Sequence, residues 1–170
     1  MKKVKPLLVF ALVAVMIFSL VACGKKEEKK PEYTGEVTEK VIQDVLTVKY
    51  PAEFKVNDQW SGESFVTLRK GDELWEVSVG IYELELVGEK SFESLEETHK
   101  QFYSTFEKAT LAGKDGFKVD AGAAISYYAK YNDEKYISFT CKVQFDKEAD
   151  YKKAFETPEV QYILNNLSVK

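Results

Sequence analysis

His99 is the only imidazole in the chain. A histidine-based metal site would need carboxylates to complete it, and a nucleophile would have a single imidazole base to draw on. His99 follows Leu95 by four residues and precedes Phe102 by three, the spacing of one helical stripe. That predicts a boundary side chain at a helix–sheet contact rather than a ligand. Cys141 falls in the series Ile137, Phe139, Cys141, Val143 and Phe145, the apolar phase of a strand. A reactive thiol needs exposure and a cationic neighbour, so Cys141 is expected to be a small core residue. Glu83, Glu85, Glu89, Glu93, Glu96 and Glu97 gather where a strand meets a helix. They have oxygen ligands for Ca²⁺ but lack the EF-hand spacing, and carboxylates entering a helix are favoured by its dipole. They are expected to be solvated, with no metal or other cofactor. Gly62-Glu63-Ser64 misses G-x-S-x-G because Val66 stands in place of the last glycine. No HExxH, S-x-x-K, P-loop or GxGxxG occurs, so the chain is expected not to be an enzyme.

Tyrosine supplies the remaining chemistry, with ten in the chain. Two alternating segments, 123–131 and 136–145, flank Asn132-Asp133-Glu134-Lys135 and read as a hairpin. If Tyr131 faces Tyr136, then Tyr128 opposes Phe139 and Ser126 opposes Cys141 on a core face. Tyr127, Tyr131, Tyr136, Ser138 and Thr140 then share the opposite face. Such a face suits recognition of a protein partner or a glycan, because each ring offers apolar area plus a hydroxyl. The alternative is that helices cover it and the hydroxyls reach solvent at the rim. A slip of one residue would move every side chain to the other face.

The elements that must hold these residues are also visible. Leu46, Val48 and Tyr50 alternate up to Pro51, and 64–69 is a second short strand. Trp75, Val77, Val79 and Ile81 alternate, and then Tyr82, Leu84 and Leu86 continue on even numbers, which predicts a bulge near Tyr82. Ser91 is an N-cap for a helix over 91–108, carrying Leu95, His99, Phe102 and Phe106 on one stripe. Gly113 and Asp115-Gly116 are turn signals leading into 117–119. Asp146 opens a helical stretch through Phe155. Thr157-Pro158 starts a last helix carrying Val160, Ile163, Leu164 and Leu167. Strands grouped between three helical segments predict an α+β fold, a mainly antiparallel sheet flanked by helices. No repeat or Pro/Gly-rich break divides 37–170, which reads as one domain.

Upstream, Lys2, Lys3 and Lys5 precede an apolar run over 7–21 in which Ser19 is the only polar residue. As a helix that run spans about 22 Å, short of a bilayer core of about 30 Å, so 1–22 reads as a signal peptide rather than a span. Its end, Leu20-Val21-Ala22-Cys23 followed by Gly24, resembles the lipobox of bacterial lipoproteins. The resemblance implies that the Cys23 thiol receives a diacylglycerol and that the signal is cut just before it. Two fatty acyl chains such as palmitate hold a protein durably, where one gives reversible attachment. Residues 23–36 then form the lipidated cysteine and a charged tether, of which 25–35 reaches about 36–40 Å when extended. The net charge of −4 becomes −7 once the signal's three lysines are lost, and the basic stretch 25–31 leaves −9 beyond it. Nucleic acid is excluded as a partner by that balance.

Leu46-Thr47-Val48-Lys49-Tyr50-Pro51-Ala52-Glu53-Phe54 resembles the entry strand of the PsbP-like fold, and Tyr162-Ile163-Leu164-Asn165-Asn166-Leu167-Ser168-Val169 its final helix. The helix at 91–108 sits where that family places its middle helix. The resemblance implies an α/β/α sandwich, found in photosystem extrinsic subunits, a nuclear Ran-binding factor and bacterial lipoproteins. Its members are mainly binding or assembly factors with no shared catalytic motif. The sequence thus predicts a non-catalytic binding or assembly module, lipid-anchored at the outer face of the cell membrane. Its partners would be the membrane, through the lipid on Cys23, and an envelope protein or glycan. A small-ligand-binding lipoprotein of a transporter and a small envelope hydrolase or redox protein are the alternatives.

Overall fold

Two nine-residue strands form the centre of the molecule in a computed structural model that describes residues 32–144 and 150–170. Strand β5 (Trp75–Glu83) pairs antiparallel with β9 (Lys135–Val143) in one unbroken register, from Trp75↔Val143 to Glu83↔Lys135. Alternation then divides their side chains. Val77, Val79, Ile81, Ile137, Phe139 and Cys141 go to an inner face and are fully or almost fully buried. Glu76, Ser78, Gly80, Tyr82, Tyr136, Ser138, Thr140 and Lys142 go to the outer face.

Around this pair the sheet has seven strands, in the order β3 (Phe54–Val56), β4 (Phe65–Lys70), β5, β9, β8 (Ala124–Lys130), β7 (Lys114–Asp120) and β6 (Glu107–Leu111). Every pairing is antiparallel. A second sheet sets β2 (Leu46–Pro51) between β1 (Val37–Ile42) and β10 (Leu167–Val169). The larger core lies on the inner face. There Val77, Val79 and Phe139 meet Leu46 and Val48 of the small sheet. Ala154 of helix α2 (Tyr151–Glu156) and Val160 and Ile163 of helix α3 (Pro158–Asn165) complete it. Helix α1 (Phe92–Phe102) lies on the outer face, where Phe92 and Leu95 pack with Phe117, Val119 and Tyr136 in a second cluster. The fold is α+β with a mainly antiparallel sheet. At its N-terminal side the Tyr33 ring packs on Tyr162 of α3, with centroids 5.4 Å apart, and its hydroxyl donates to the Glu36 carbonyl.

The caps follow the sequence. Ser91 Oγ accepts from Ser94 N–H and Thr157 Oγ1 from Val160 N–H, with Pro158 at the first helical position. Other boundaries differ from expectation. Helix α1 stops at Phe102 rather than 108. Thr105 Oγ1 bonds both the N–H and the carbonyl of Asp120, which holds 103–106 as a connector into edge strand β6. There is no bulge at Tyr82. It stays in register with Tyr136, and Leu84 opens a short 3₁₀ turn, Leu84–Val87, that returns to the same outer cluster. Leu167 has left the last helix and pairs with Val48 as β10. Asp146 lies outside the described residues, and α2 is capped by Asp150 instead.

The hairpin between β8 and β9 is one residue out from the expected register. Tyr136 pairs with Lys130, not Tyr131. The cause is the turn. Asn132 Oδ1 accepts from the N–H groups of Glu134 and Lys135, and Tyr131 N–H donates to the Lys135 carbonyl. Lys135 is thereby drawn into the strand, and the loop shortens to three residues.

Candidate recognition face

That single step splits the expected tyrosine trio. Tyr127 points to the inner face, stacked on Phe155 at 6.0 Å and edge-on to Phe139 at 6.1 Å. Tyr131 is partly buried against the same core. Tyr136 is on the outer face, buried between Tyr82 at 5.6 Å and Tyr128 at 6.0 Å. The three do not form one surface. Ser138 and Thr140 do share a face with Tyr136, and the tyrosines beside them are Tyr82 and Tyr128.

This outer face is ordered in rows across the strands. One row is charged: Arg69 Nε donates to Glu76 Oε2 at 3.2 Å, and Lys142 Nζ sits 3.3 Å from Glu76 Oε1. Glu76 is buried, and its two oxygens are each taken by a cation. The next row is four hydroxyls on four neighbouring strands: Thr67, Ser78, Thr140 and Ser126. They bond in pairs, Thr67 to Ser78 at 3.1 Å and Ser126 to Thr140 at 3.0 Å. Thr67 also donates to the Trp60 carbonyl, which brings the turn Asp58–Trp60 over the edge of the row. Ser78 and Thr140 remain half-exposed.

The third row is Phe65, Gly80, Ser138, Tyr128 and Phe117. Gly80 is required here. A Cβ would stand 2.5 Å from the Phe65 Cβ and 2.7 Å from the Ser64 carbonyl oxygen. Without one, the Phe65 ring lies 6.0 Å from Tyr82, nearly parallel to it. Tyr82 and Tyr136 pair in the fourth row. Burial pushes the Tyr82 phenol up to about 12, helped by neighbouring Tyr128, and raises Tyr136 and Tyr128 in the same direction. All three stay neutral at physiological pH.

His99 lies at the helix–sheet contact, its ring 4.7 Å from Tyr128 and 5.1 Å from Phe117, with Nδ1 2.9 Å from the Leu95 carbonyl oxygen. Phe102, expected on the same stripe, is 77% exposed because the helix ends there. Cys141 is fully buried in the larger core, and burial pushes its thiol up to about 12. The glutamates are dispersed. Glu89 accepts from Ser94 and Thr98, which holds its carboxyl below the usual range. Glu83, Glu93, Glu96 and Glu97 pair with Lys135, Lys130, Lys108 and Lys100. A groove of about 750 Å³ between α1 and β6–β7 is lined by Glu93, Glu96, Lys108 and Lys130, whose charges already pair across it. Among the described residues no three His, Cys, Asp or Glu side chains group as a metal site would need. Cys23 lies outside the described residues, and among those described no helix is long and apolar enough to cross a membrane.

Asp120 is the most perturbed carboxyl. Burial acts to raise it, but Lys152 at 2.9 Å, the Gly122 N–H and the Tyr151 hydroxyl together outweigh that and bring it down to about 2. It fastens α2 to the end of β7. Sequence reasoning missed Asp120, Tyr82 and Gly80. The even-number phase at Tyr82 was the signal for an outer-face residue, and it reads equally well as a bulge.

No protein-family model matches the chain, and no curated protein matches it. A solved structure of a protein from Bacteroides thetaiotaomicron VPI-5482 is similar in fold, with a TM-score of 0.50 at 9% identity over 81% of this chain. The match covers 49% of that protein, so this chain spans about half its length.

Proposed function

We propose that the protein is a non-catalytic binding or assembly module, lipid-anchored through Cys23 at the outer face of a bacterial cell membrane. The observation that carries this reading is the order Leu20-Val21-Ala22-Cys23 at the end of a short apolar run preceded by lysines. Only the Cys23 thiol can accept a lipid at that junction. The domain's own chemistry supports binding over turnover. The single histidine is packed among aromatic rings, and the Cys141 thiol is buried and held protonated. The outer sheet face, in contrast, keeps half-exposed hydroxyls and rings. A PsbP-like α/β/α sandwich is the finer fold assignment. It is supported by α1 on one face of the seven-stranded sheet and by α2 and α3 on the other.

Metabolic labelling with palmitate tests the anchor. Wild-type protein incorporates label and partitions with membranes. Cys23→Ala stays as an unlabelled precursor of higher mass. Equal label in the variant overturns the assignment.

A further inference from the structure

We infer that the outer face of the seven-stranded sheet is a binding site for an uncharged oligosaccharide, built from Tyr82, Tyr128, Tyr136, Ser78, Ser138 and Thr140. The inference deepens the binding-module reading by naming a ligand class, and it depends on that reading only for the protein's role as a binder.

Tyr136 carries the argument furthest. The residue is only 5% exposed, yet its hydroxyl has no hydrogen-bond partner among the described residues and is not among the polar atoms sealed from solvent. A ring anchored so completely, with its one polar atom left at the surface and unpaired, holds a fixed hydroxyl ready for an incoming group. Ser138, on the same strand and two residues along, is 8% exposed with its hydroxyl in the same condition. The adjoining row offers Ser78 and Thr140, half-exposed and each bonded to only one other hydroxyl.

The kind of group wanted follows from what these atoms are. The polar side-chain atoms of these six residues are all hydroxyls, which both donate and accept, and the row of Tyr136 continues into Lys130. A carboxylate or phosphate only accepts and an ammonium only donates, so each would leave half of this capacity unused. Among the described residues the charges beside these rows are already paired: the Glu76 carboxylate is shared between Arg69 and Lys142, and Lys130, next to Tyr136, is held by Glu93 and Asp133. The chain beyond its tether, residues 37–170, carries a charge of −7 by residue count, which opposes an anionic polymer. A neutral sugar meets the conditions: its hydroxyls match the hydroxyl rows, and its C–H faces suit the rings of Phe65, Tyr82 and Tyr128.

The test uses the full chain in dodecylphosphocholine micelles, a detergent without a sugar headgroup. It is applied to an array of neutral di- to hexasaccharides, with uronate and phosphorylated counterparts alongside. The expected result is saturable retention on one or more neutral sugars that is insensitive to salt between 0.05 and 0.5 M (roughly a threefold change in Debye length). Tyr136→Phe combined with Ser138→Ala removes two hydroxyls and no ring. At about 2–12-fold per hydrogen bond, binding should weaken at least about fourfold. Tyr127→Phe, on the inner face, should bind as wild type. Absence of saturable binding to any neutral sugar, stronger retention on the charged counterparts, or an unchanged double variant each overturns the inference. Palmitate labelling of the same preparation is read separately. A labelled but sugar-blind protein loses the ligand class and keeps the anchor, whereas an unlabelled sugar binder does the reverse.

Discussion

The two faces of the seven-stranded sheet share the same strands and are chemically opposite. The inner face is Val66, Leu68, Val77, Val79, Ile137, Phe139 and Cys141, all with no exposure. It is covered by the small sheet and the C-terminal helices. The outer face crosses the same strands with Thr67, Ser78, Ser126, Ser138 and Thr140. Helix α1 covers its Phe117 end together with Tyr128 and Tyr136, the turn Asp58–Trp60 covers Thr67, and Ser78, Thr140 and Tyr82 stay partly exposed. Dispersion and burial favour the first arrangement, so the inner face accounts for why the protein folds. The second costs desolvated hydroxyls that must find one another, as Ser126 and Thr140 do. Those ordered hydroxyls, some of them still partly exposed, are the ground for the proposed recognition role.

Substitutions across the sheet measure that contrast. The largest effect is expected on the inner face: Phe139→Ala should destabilise by about 3–5 kcal/mol, read as a lower urea midpoint at unchanged slope. A cost below about 1 kcal/mol there would dissolve the distinction between the faces. On the outer face the severe position is Gly80, because it is a packing point and not a polar one. Gly80→Ala forces Phe65 and the Ser64 carbonyl to move, at a cost of about 1–3 kcal/mol.

Asp120→Asn, at the end of β7, should cost about 1 kcal/mol at pH 7. Its carboxyl falls from an ordinary 3.8 to about 2 in the folded protein. The stabilisation is therefore complete above about pH 4 and lost as pH falls through 2. A wild-type stability curve that drops across that window, beside an Asp120→Asn curve that is flatter there, would confirm the sign. The smallest effect is predicted for Tyr136→Phe, within about 0.5 kcal/mol, since the hydroxyl removed has no partner among the described residues. A larger loss in a thermal melt would mean that the hydroxyl is structural, and it would move Tyr136 to the same side of the comparison as Phe139.

The contrast also explains what could be read from the sequence. Long alternating strands with β-branched and aromatic residues announce themselves, and β2, β4, β5, β8 and β9 all follow their periodicity. So do the Ser91 and Thr157-Pro158 helix starts, where one side chain fixes the local hydrogen bonding. Strands β1, β3, β6 and β10 were silent, because two are only three residues long and the edge strands β1 and β6 are mostly exposed and carry charge. The candidate site failed on a finer point. Which tyrosines share a face depends on whether Lys135 belongs to the turn or to the strand. Asn132 decides that by capturing two N–H groups, a tertiary-scale choice made by one side chain. The types of residue needed for a recognition face were legible, and their parity was not.

The seat of Tyr33 on Tyr162 has a mechanical consequence. Tension applied from the N-terminal end reaches the domain at α3 and passes next to β1, the outer strand of the small sheet. Its pairs with β2 run from Val37↔Pro51 to Ile42↔Leu46, so a pull from that end opens them in succession like a zipper. The strands of the large sheet pair only among themselves and lie off this line of force. Edge strand β1 is therefore the first element such a pull strips away, ahead of the strands that carry the rows of hydroxyls and rings.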